Sequence, residues 1–203
     1  MIFASLVVVS LFTNSYFSDS VVVSGNTFRA GTWPVPGRIV INEVLYNPVG
    51  TDTGNEFIEL YNAGGTSVDM TGWQVGSDSQ YYTLPAFSLS PAAFVVIHWN
   101  ASGANNANDL YTGSLTNLSN TAGSVFIFNS STKNSSTIVD FLEYGAGGQT
   151  WESTAVSAGI WTAGNFVGNV SEGHSIERRP KGYDTNSPAD FIDQNNPTPG
   201  TGL

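Results

Sequence analysis

From Ile39 onward the chain runs in short apolar stretches, IVINEVLY, EFIELYN, GWQV, QYYTL, AFVVIHW, SVFIFN, TIVDFLEY and HSIER. β-Branched and aromatic residues fill them, and apolar and polar positions alternate through several, as in strands buried on one face. Between them lie NPVGTDTGN, NAGGTS, WNASGANNAND, NSSTKNSS and GAGGQ, whose Gly, Asn, Asp and Pro residues supply positive φ angles or local side-chain hydrogen bonds. No stretch of helical length carries the 3.6-residue period. Short strands at this spacing predict an all-β fold, an antiparallel β-sandwich or barrel. Residues 150–169 break the rhythm, because Trp151 and Trp161 stand among small residues with weak alternation. That segment reads as a long loop over one end of the sandwich.

The stretch GNEFIELYNAGG holds two glutamates, Glu56 and Glu59, and paired carboxylates are common equipment of hydrolases. Strand geometry argues against that role. Successive side chains point to opposite faces, so Glu56 joins Ile58 and Leu60 on one side while Glu59 joins Phe57 and Tyr61 on the other. An acid and a base must converge on one bond from roughly 5 to 10 Å. Carboxylates on opposite faces of one strand do not converge, so no catalytic residue is expected here.

The 203 residues allow one domain of ordinary size plus a tail. Six basic residues against sixteen acidic ones give a net charge of -10. Phosphate-backbone binding needs a basic face, so nucleic acid is not an expected partner. With no cysteine, no disulfide reports the redox compartment. The compartment is read from the N-terminus, where the apolar run Ile2 to Phe12 is too short for a membrane span of roughly 20 residues and suits a signal-peptide core. No Lys or Arg precedes Arg29, so residues 1–15 read as a signal peptide truncated at its start. The other reading is a buried N-terminal strand, since Val7 to Val9 and Val21 to Val23 are β-branched. An extracellular or cell-surface location is expected, with membrane contact only through an uncleaved N-terminal segment.

The candidate chemistry is sparse. His98 lies in AFVVIHW and His174 in EGHSIER; of the carboxylates near His174, Glu172 would share its strand face and Glu177 would not, a thin ligand set for zinc. Ser175 has no G-x-S-x-G elbow around it. Asp52, Asp78 and Asp109 offer the oxygen ligands that calcium takes, but no D-x-D-x-D-G loop is present and they read as turn formers. No metal or cofactor is expected. The cationic cluster is ERRPK, with Arg178, Arg179 and Lys181; Glu177 flanks it and Pro180 interrupts it, which suits internal ion pairing better than a ligand patch.

The run INEVLYNPVGTDTGNEFIELYNAGGTSVDMTGWQV resembles the opening of the lamin-tail domain, an immunoglobulin-like β-sandwich found in nuclear lamins and in many secreted bacterial and archaeal proteins. In DMTGWQV, Asp69 and Gly72 would turn the chain and Trp73 would pack inward. FSLSPAAFVVIHW, SVFIFN and VDFLEYG follow in the family's order, and GHSIERRPKGYDTNSPADF with NPTPG resembles the closing segment of the prokaryotic branch. The likeness of GHSIER implies a structural Arg178 paired with a strand carboxylate, Glu59 or Glu43. The resemblance covers roughly 38–200 and implies a sandwich there, after residues 16–37 as a leader or linker. Residues 150–169 are longer and more aromatic than the link expected before the closing strand. Lamin filaments also need a coiled-coil rod, and no heptad run exists here, so nuclear function is not implied.

The leader YFSDSVVVSGNTFRAGTW resembles the segment just after the signal in the biofilm-matrix fibre and camelysin group. Together these features give two expectations. The first is a secreted or surface-attached module, not an enzyme, that binds or tethers an unknown protein or surface polymer. The second is a structural subunit that self-associates into an extracellular fibre by strand addition.

Overall fold

The computed structural model describes residues 35–203 and two short leader strands, β1 (Val22–Val23) and β2 (Asn26–Thr27), which pair antiparallel. Residues 35–203 form a compact unit of their own. The expected signal peptide, residues 1–15, lies outside the described residues, as does most of the 16–37 leader.

Strand β3 (Ile39–Leu45) enters beside β4 (Glu56–Asn62). A two-residue ribbon follows, β5 (Val68–Asp69) with β8 (Ser88–Leu89), enclosing the hairpin β6 (Gln74–Ser77) and β7 (Gln80–Thr83). Next come β9 (Phe94–Trp99), β10 (Asp109–Tyr111), β11 (Gly123–Phe128) and β12 (Ile138–Tyr144). The chain closes with β13 (Ser175–Arg178) and β14 (Phe191–Gln194). Two sheets make the immunoglobulin-like sandwich, a six-stranded one ordered β10-β9-β4-β3-β13-β14 and a four-stranded one ordered β12-β11-β6-β7. Neighbours run antiparallel except β10, which lies parallel on β9.

The alternation expected of β4 holds. Ile58 and Leu60 are fully buried with Ile41, Val44, Val95 and Ile97 of the same sheet, and they join Val75, Val125, Ile127 and Leu142 of the other in one core. Each such side chain contributes about 1.5–3 kcal/mol by leaving water. Tyr46 and Tyr144 stack at 4.3 Å between centroids, and the Trp99 indole N–H donates to Thr116 C=O at 2.9 Å. Trp73 is half-buried rather than enclosed; it packs on the core from the turn in which its N–H donates to Met70 C=O at 3.0 Å.

Strand β11 of the four-stranded sheet is buried on both faces, since Phe126 and Phe128 alternate with Val125 and Ile127 and all four are inaccessible. The 150–169 segment explains this. It is not a plain loop: it carries helix α1 (Glu152–Ser157), sets Trp151 edge-on to Phe126 and Phe128 at 6.0 and 5.2 Å, and sets Trp161 edge-on to Phe141 at 5.5 Å. Val167 then bridges β12 in parallel at Tyr144. The two tryptophans thus cover an apolar face that would otherwise lie open, forming a third layer. Gly76 lets Phe126 lie flat across β6, because a Cβ there would come within 2.5 Å of the Phe126 ring.

Candidate functional site

Glu56 and Glu59 do point apart, and both are buried. Glu56 accepts a hydrogen bond from Leu118 N–H at 3.1 Å through Oε2, while its Oε1 has no partner among the described residues; burial pushes its carboxyl up to about 8. At neutral pH Glu56 is therefore mostly protonated.

Glu59 belongs to a second group on the outer face of the six-stranded sheet. Register places Glu59 of β4 opposite Glu43 of β3, and Glu43 opposite Glu177 of β13, so three neighbouring strands aim three buried carboxylates one way. A strap, residues 198–203, crosses above them. Thr198 N–H donates to both Glu43 oxygens at 3.0 and 3.2 Å, Gly200 N–H to Glu59 Oε2, and Leu203 N–H to Glu177 Oε1 at 2.8 Å. Side chains fill what remains: Ser175 Oγ donates to Glu43, Asn42 Nδ2 to Glu59 Oε1 at 2.9 Å, Thr198 Oγ1 to Glu177 Oε1 at 3.1 Å, and Gln194 Nε2 to Glu177 Oε2 at 2.9 Å. All six carboxylate oxygens accept a hydrogen bond, yet no ion pair to a Lys or Arg reaches these carboxylates among the described residues. Burial raises Glu43, and it pushes Glu59 up to about 7 with the charges of Glu43 and Glu177 adding to the effect.

Arg178 does not join that group, contrary to the pairing with Glu59 or Glu43 expected from the sequence. It follows Glu177 on β13, so the pleat turns it the other way. Its guanidinium is 1% exposed and forms three ion pairs, to Asp140 at 3.0 Å, Asp184 at 3.0 Å and Asp190 at 3.3 Å. It also donates to the carbonyls of Ile41 at 2.9 Å and Tyr183 at 3.0 Å and lies 4.4 Å over the Phe191 ring. Asp140 in turn accepts from the N–H groups of Ile41 at 2.7 Å and Phe141 at 2.8 Å. Arg178 and Asp140 thereby satisfy β3 beside its bulge between Ile41 and Glu43, beyond the β13 ladder. Burial still pushes the Asp140 carboxyl up to about 6 despite the neighbouring guanidinium.

Beside the strap lies an open groove of about 720 Å³. Phe94, Val96 and His98 alternate along β9 as its floor, Asn108 and Asp109 form one wall, and Lys181 with Pro199, Gly200 and Thr201 of the strap form the other. His98 Nε2 lies 2.9 Å from Asp109 Oδ1, and its ring stacks on Tyr111 at 4.5 Å. The Lys181 ammonium donates to Thr201 C=O at 3.1 Å and sits 5.4 Å from the Phe94 ring centre.

The remaining candidates stay apart. His174 Nδ1 lies 2.7 Å from Asp193 Oδ1, just before β13 and at a distance in sequence from His98. Asp52 accepts from Asn120 Nδ2 at 3.1 Å, Asp78 from Ser124 N–H at 3.3 Å, and Asp109 is taken by His98. Among the described residues no group of three or more His, Cys, Asp or Glu side chains is arranged to hold a metal. None of their helices is long and apolar enough to cross a membrane.

Family comparison fits this scaffold. A profile of the Lamin Tail Domain matches residues 34–146, more than half of the chain. The chain belongs to the lamin tail domain family. Comparison with curated proteins gives no match. The matched region carries β3 to β12 of this lamin tail domain, with Glu43, Glu59, Trp73 and Asp140, whereas Glu177, Arg178 and the strap follow it.

Proposed function

We propose that this lamin tail domain is an extracellular or cell-surface module that binds and tethers, with no chemistry of its own. The groove beside the strap carries the reading. It joins an apolar floor to a histidine–aspartate pair and a lysine, a mixture suited to holding a partner surface or polymer. The buried acids that a hydrolase would need are instead occupied as acceptors for strap and strand groups, or, for Glu56, enclosed away from the groove lining. Secretion rests on the apolar run from Ile2 to Phe12, outside the described residues, and on the closing blocks that resemble the prokaryotic secreted branch.

Sedimentation of the purified full chain with intact cells or cell-wall fragments tests the reading. Binding should weaken at least tenfold in a His98→Ala/Asp109→Asn double variant; equal binding by variant and wild type removes the groove from the function. N-terminal sequencing of chain recovered from the medium of an expressing host should show a start near Tyr16. Chain retained wholly inside the host would refute secretion.

A second reading, a fibre subunit assembled by strand addition, has its own observation. β14 pairs only with β13 among the described residues. Arg179 N–H donates to Asp190 C=O at 2.8 Å, and bonded pairs alternate along an antiparallel ladder, so Asp193 turns its backbone groups toward the open side, whereas Phe191 N–H is taken by Pro188 C=O. The Val21 to Val23 segment of a second copy is the strand this reading would add there. Light scattering over rising concentration checks it. Assembly by the full chain that Asp193→Pro prevents supports the fibre, and monomers throughout leave the tethering module standing.

A further inference from the structure

We propose that Glu43, Glu59 and Glu177 are positioning residues for the groove: they latch the 198–203 strap that forms its wall, and release of that latch opens the groove onto an acidic sheet face. The inference rests on the groove being the binding site only for its consequence; the latch itself is read without any ligand.

The contacts that hold the strap are mostly polar. Pro199, Gly200, Thr201 and Leu203 are exposed, so little apolar burial fixes them. What does fix them is the run of N–H groups from Thr198, Gly200 and Leu203 onto the three carboxylates, together with Lys181, whose N–H donates to Leu203 C=O at 2.7 Å and whose ammonium reaches Thr201. Gly202 adds close packing, since a Cβ there would come within 3.1 Å of both the Phe94 ring and Asn42 Nδ2. Phe94 is thus shared by strap and groove floor, and Pro199, Gly200 and Thr201 are common to both structures. Moving the strap removes one wall of the groove and exposes three carboxylates at once.

The sheet contributes Glu43, Glu59 and Glu177, with Asn42, Ser175 and Gln194 as neutral donors; the loop after β13 contributes Lys181; β9 contributes His98 in the groove. Ionising all three glutamates sets like charges together beneath a segment that keeps water from them, and opening the strap rehydrates them. Glu43 and Glu59 are raised in the closed state, so closure binds protons more tightly than opening does. Closure is therefore firmest at mildly acid pH and loosens as pH rises through about 7.

Hydrogen exchange of the Thr198, Gly200 and Leu203 amides, read against the core amide of Ile58, tests the latch on the full chain. Protection corrected for intrinsic rates should fall at least tenfold between pH 5 and 8.5, the change that follows when one carboxyl's pKa is about one unit higher under the closed strap than under the open one. Glu43→Ala removes acceptors and should lower strap protection at least tenfold at pH 6. Glu43→Gln keeps an oxygen for Thr198 N–H and offers its amide to the Ser175 hydroxyl, so it should restore protection. A Glu43→Gln/Glu59→Gln pair should flatten the pH response, and a Lys181→Cys/Leu203→Cys disulfide should abolish it. Unchanged exchange in Glu43→Ala, or a pH response in the Gln pair equal to that of wild type, overturns the proposal. The Gln pair keeps the test decisive even where Glu43→Ala does not fold. Loss of surface binding in the His98 variant bears on the groove alone, so the two ideas fail separately.

Discussion

Glu177 and Arg178 are neighbours on one strand and inhabit opposite electrostatic solutions. On the Arg178 side a single guanidinium gathers three aspartates and two carbonyls in a site that excludes water. On the Glu177 side three carboxylates gather with no basic side chain paired to them among the described residues and are satisfied by N–H and hydroxyl donors. A buried cation with its partners resists change, because deleting it strands several charges. Burial instead makes Glu43 and Glu59 hold their protons to higher pH than exposed carboxylates do, which makes that face responsive to conditions. One strand therefore carries a fixed joint on one face and an adjustable one on the other.

The largest expected effect is on the fixed joint. Arg178→Ala should cost about 3–5 kcal/mol in denaturant unfolding, the loss typical of breaking a buried pair. A loss under about 1 kcal/mol would show that the aspartates shed their charge at no cost. Asp140→Asn should cost less, about 2 kcal/mol, since its amide group must face one of the donors now held by Oδ1 or Oδ2.

Next in size is the pH response of the whole fold. Glu59 and Glu143 are pushed up to about 7 and Glu56 to about 8, each chiefly by burial. Folded values above the unfolded one mean that the native state binds extra protons, so their contribution is fully present below about 4.5 and is lost as pH rises through 7 to 8. The melting temperature should fall by several degrees between pH 5 and 8.5, with Glu56→Gln removing the most alkaline part of the decline. A melting temperature that climbs over that range would reverse the assignment. Smallest of all, Arg38→Ala should cost no more than about 1 kcal/mol: its partner Asp184 is 3.3 Å away, but the arginine side chain is 47% exposed.

Much of the sandwich was legible because long strands advertise their period. EFIELYN is β4 to the residue, and the opposed directions of Glu56 and Glu59 followed from pleat geometry alone. The same rule sets Glu177 and Arg178 on opposite faces, but which of them meets Glu43 is decided by the β3–β13 register, which no local pattern announces. Asp140 was out of reach too, since nothing local in TIVDFLEY announces contact with a residue 38 positions on. Strands β5, β8 and β10 are too short to show alternation, and β10 lies parallel to β9, which turn signals do not indicate. The strap was illegible for another reason: it has no regular pattern, and its place is set by three glutamates far upstream.

The late position of Arg178 also bears on how the molecule can be assembled or cut. Its links to Ile41 and Asp140 span 137 and 38 residues, so they close only after most of the chain is available, and such non-local closure slows folding. An excised fragment ending at residue 146 would keep the family-matched strands while leaving the β13-facing edge of β3 bare and Asp140 without its guanidinium. Expressed alone, that fragment should be prone to aggregate through the exposed edge. Supplying a peptide of residues 170–203 in trans should then rescue its solubility, making the closing segment of the chain a folding partner for the rest.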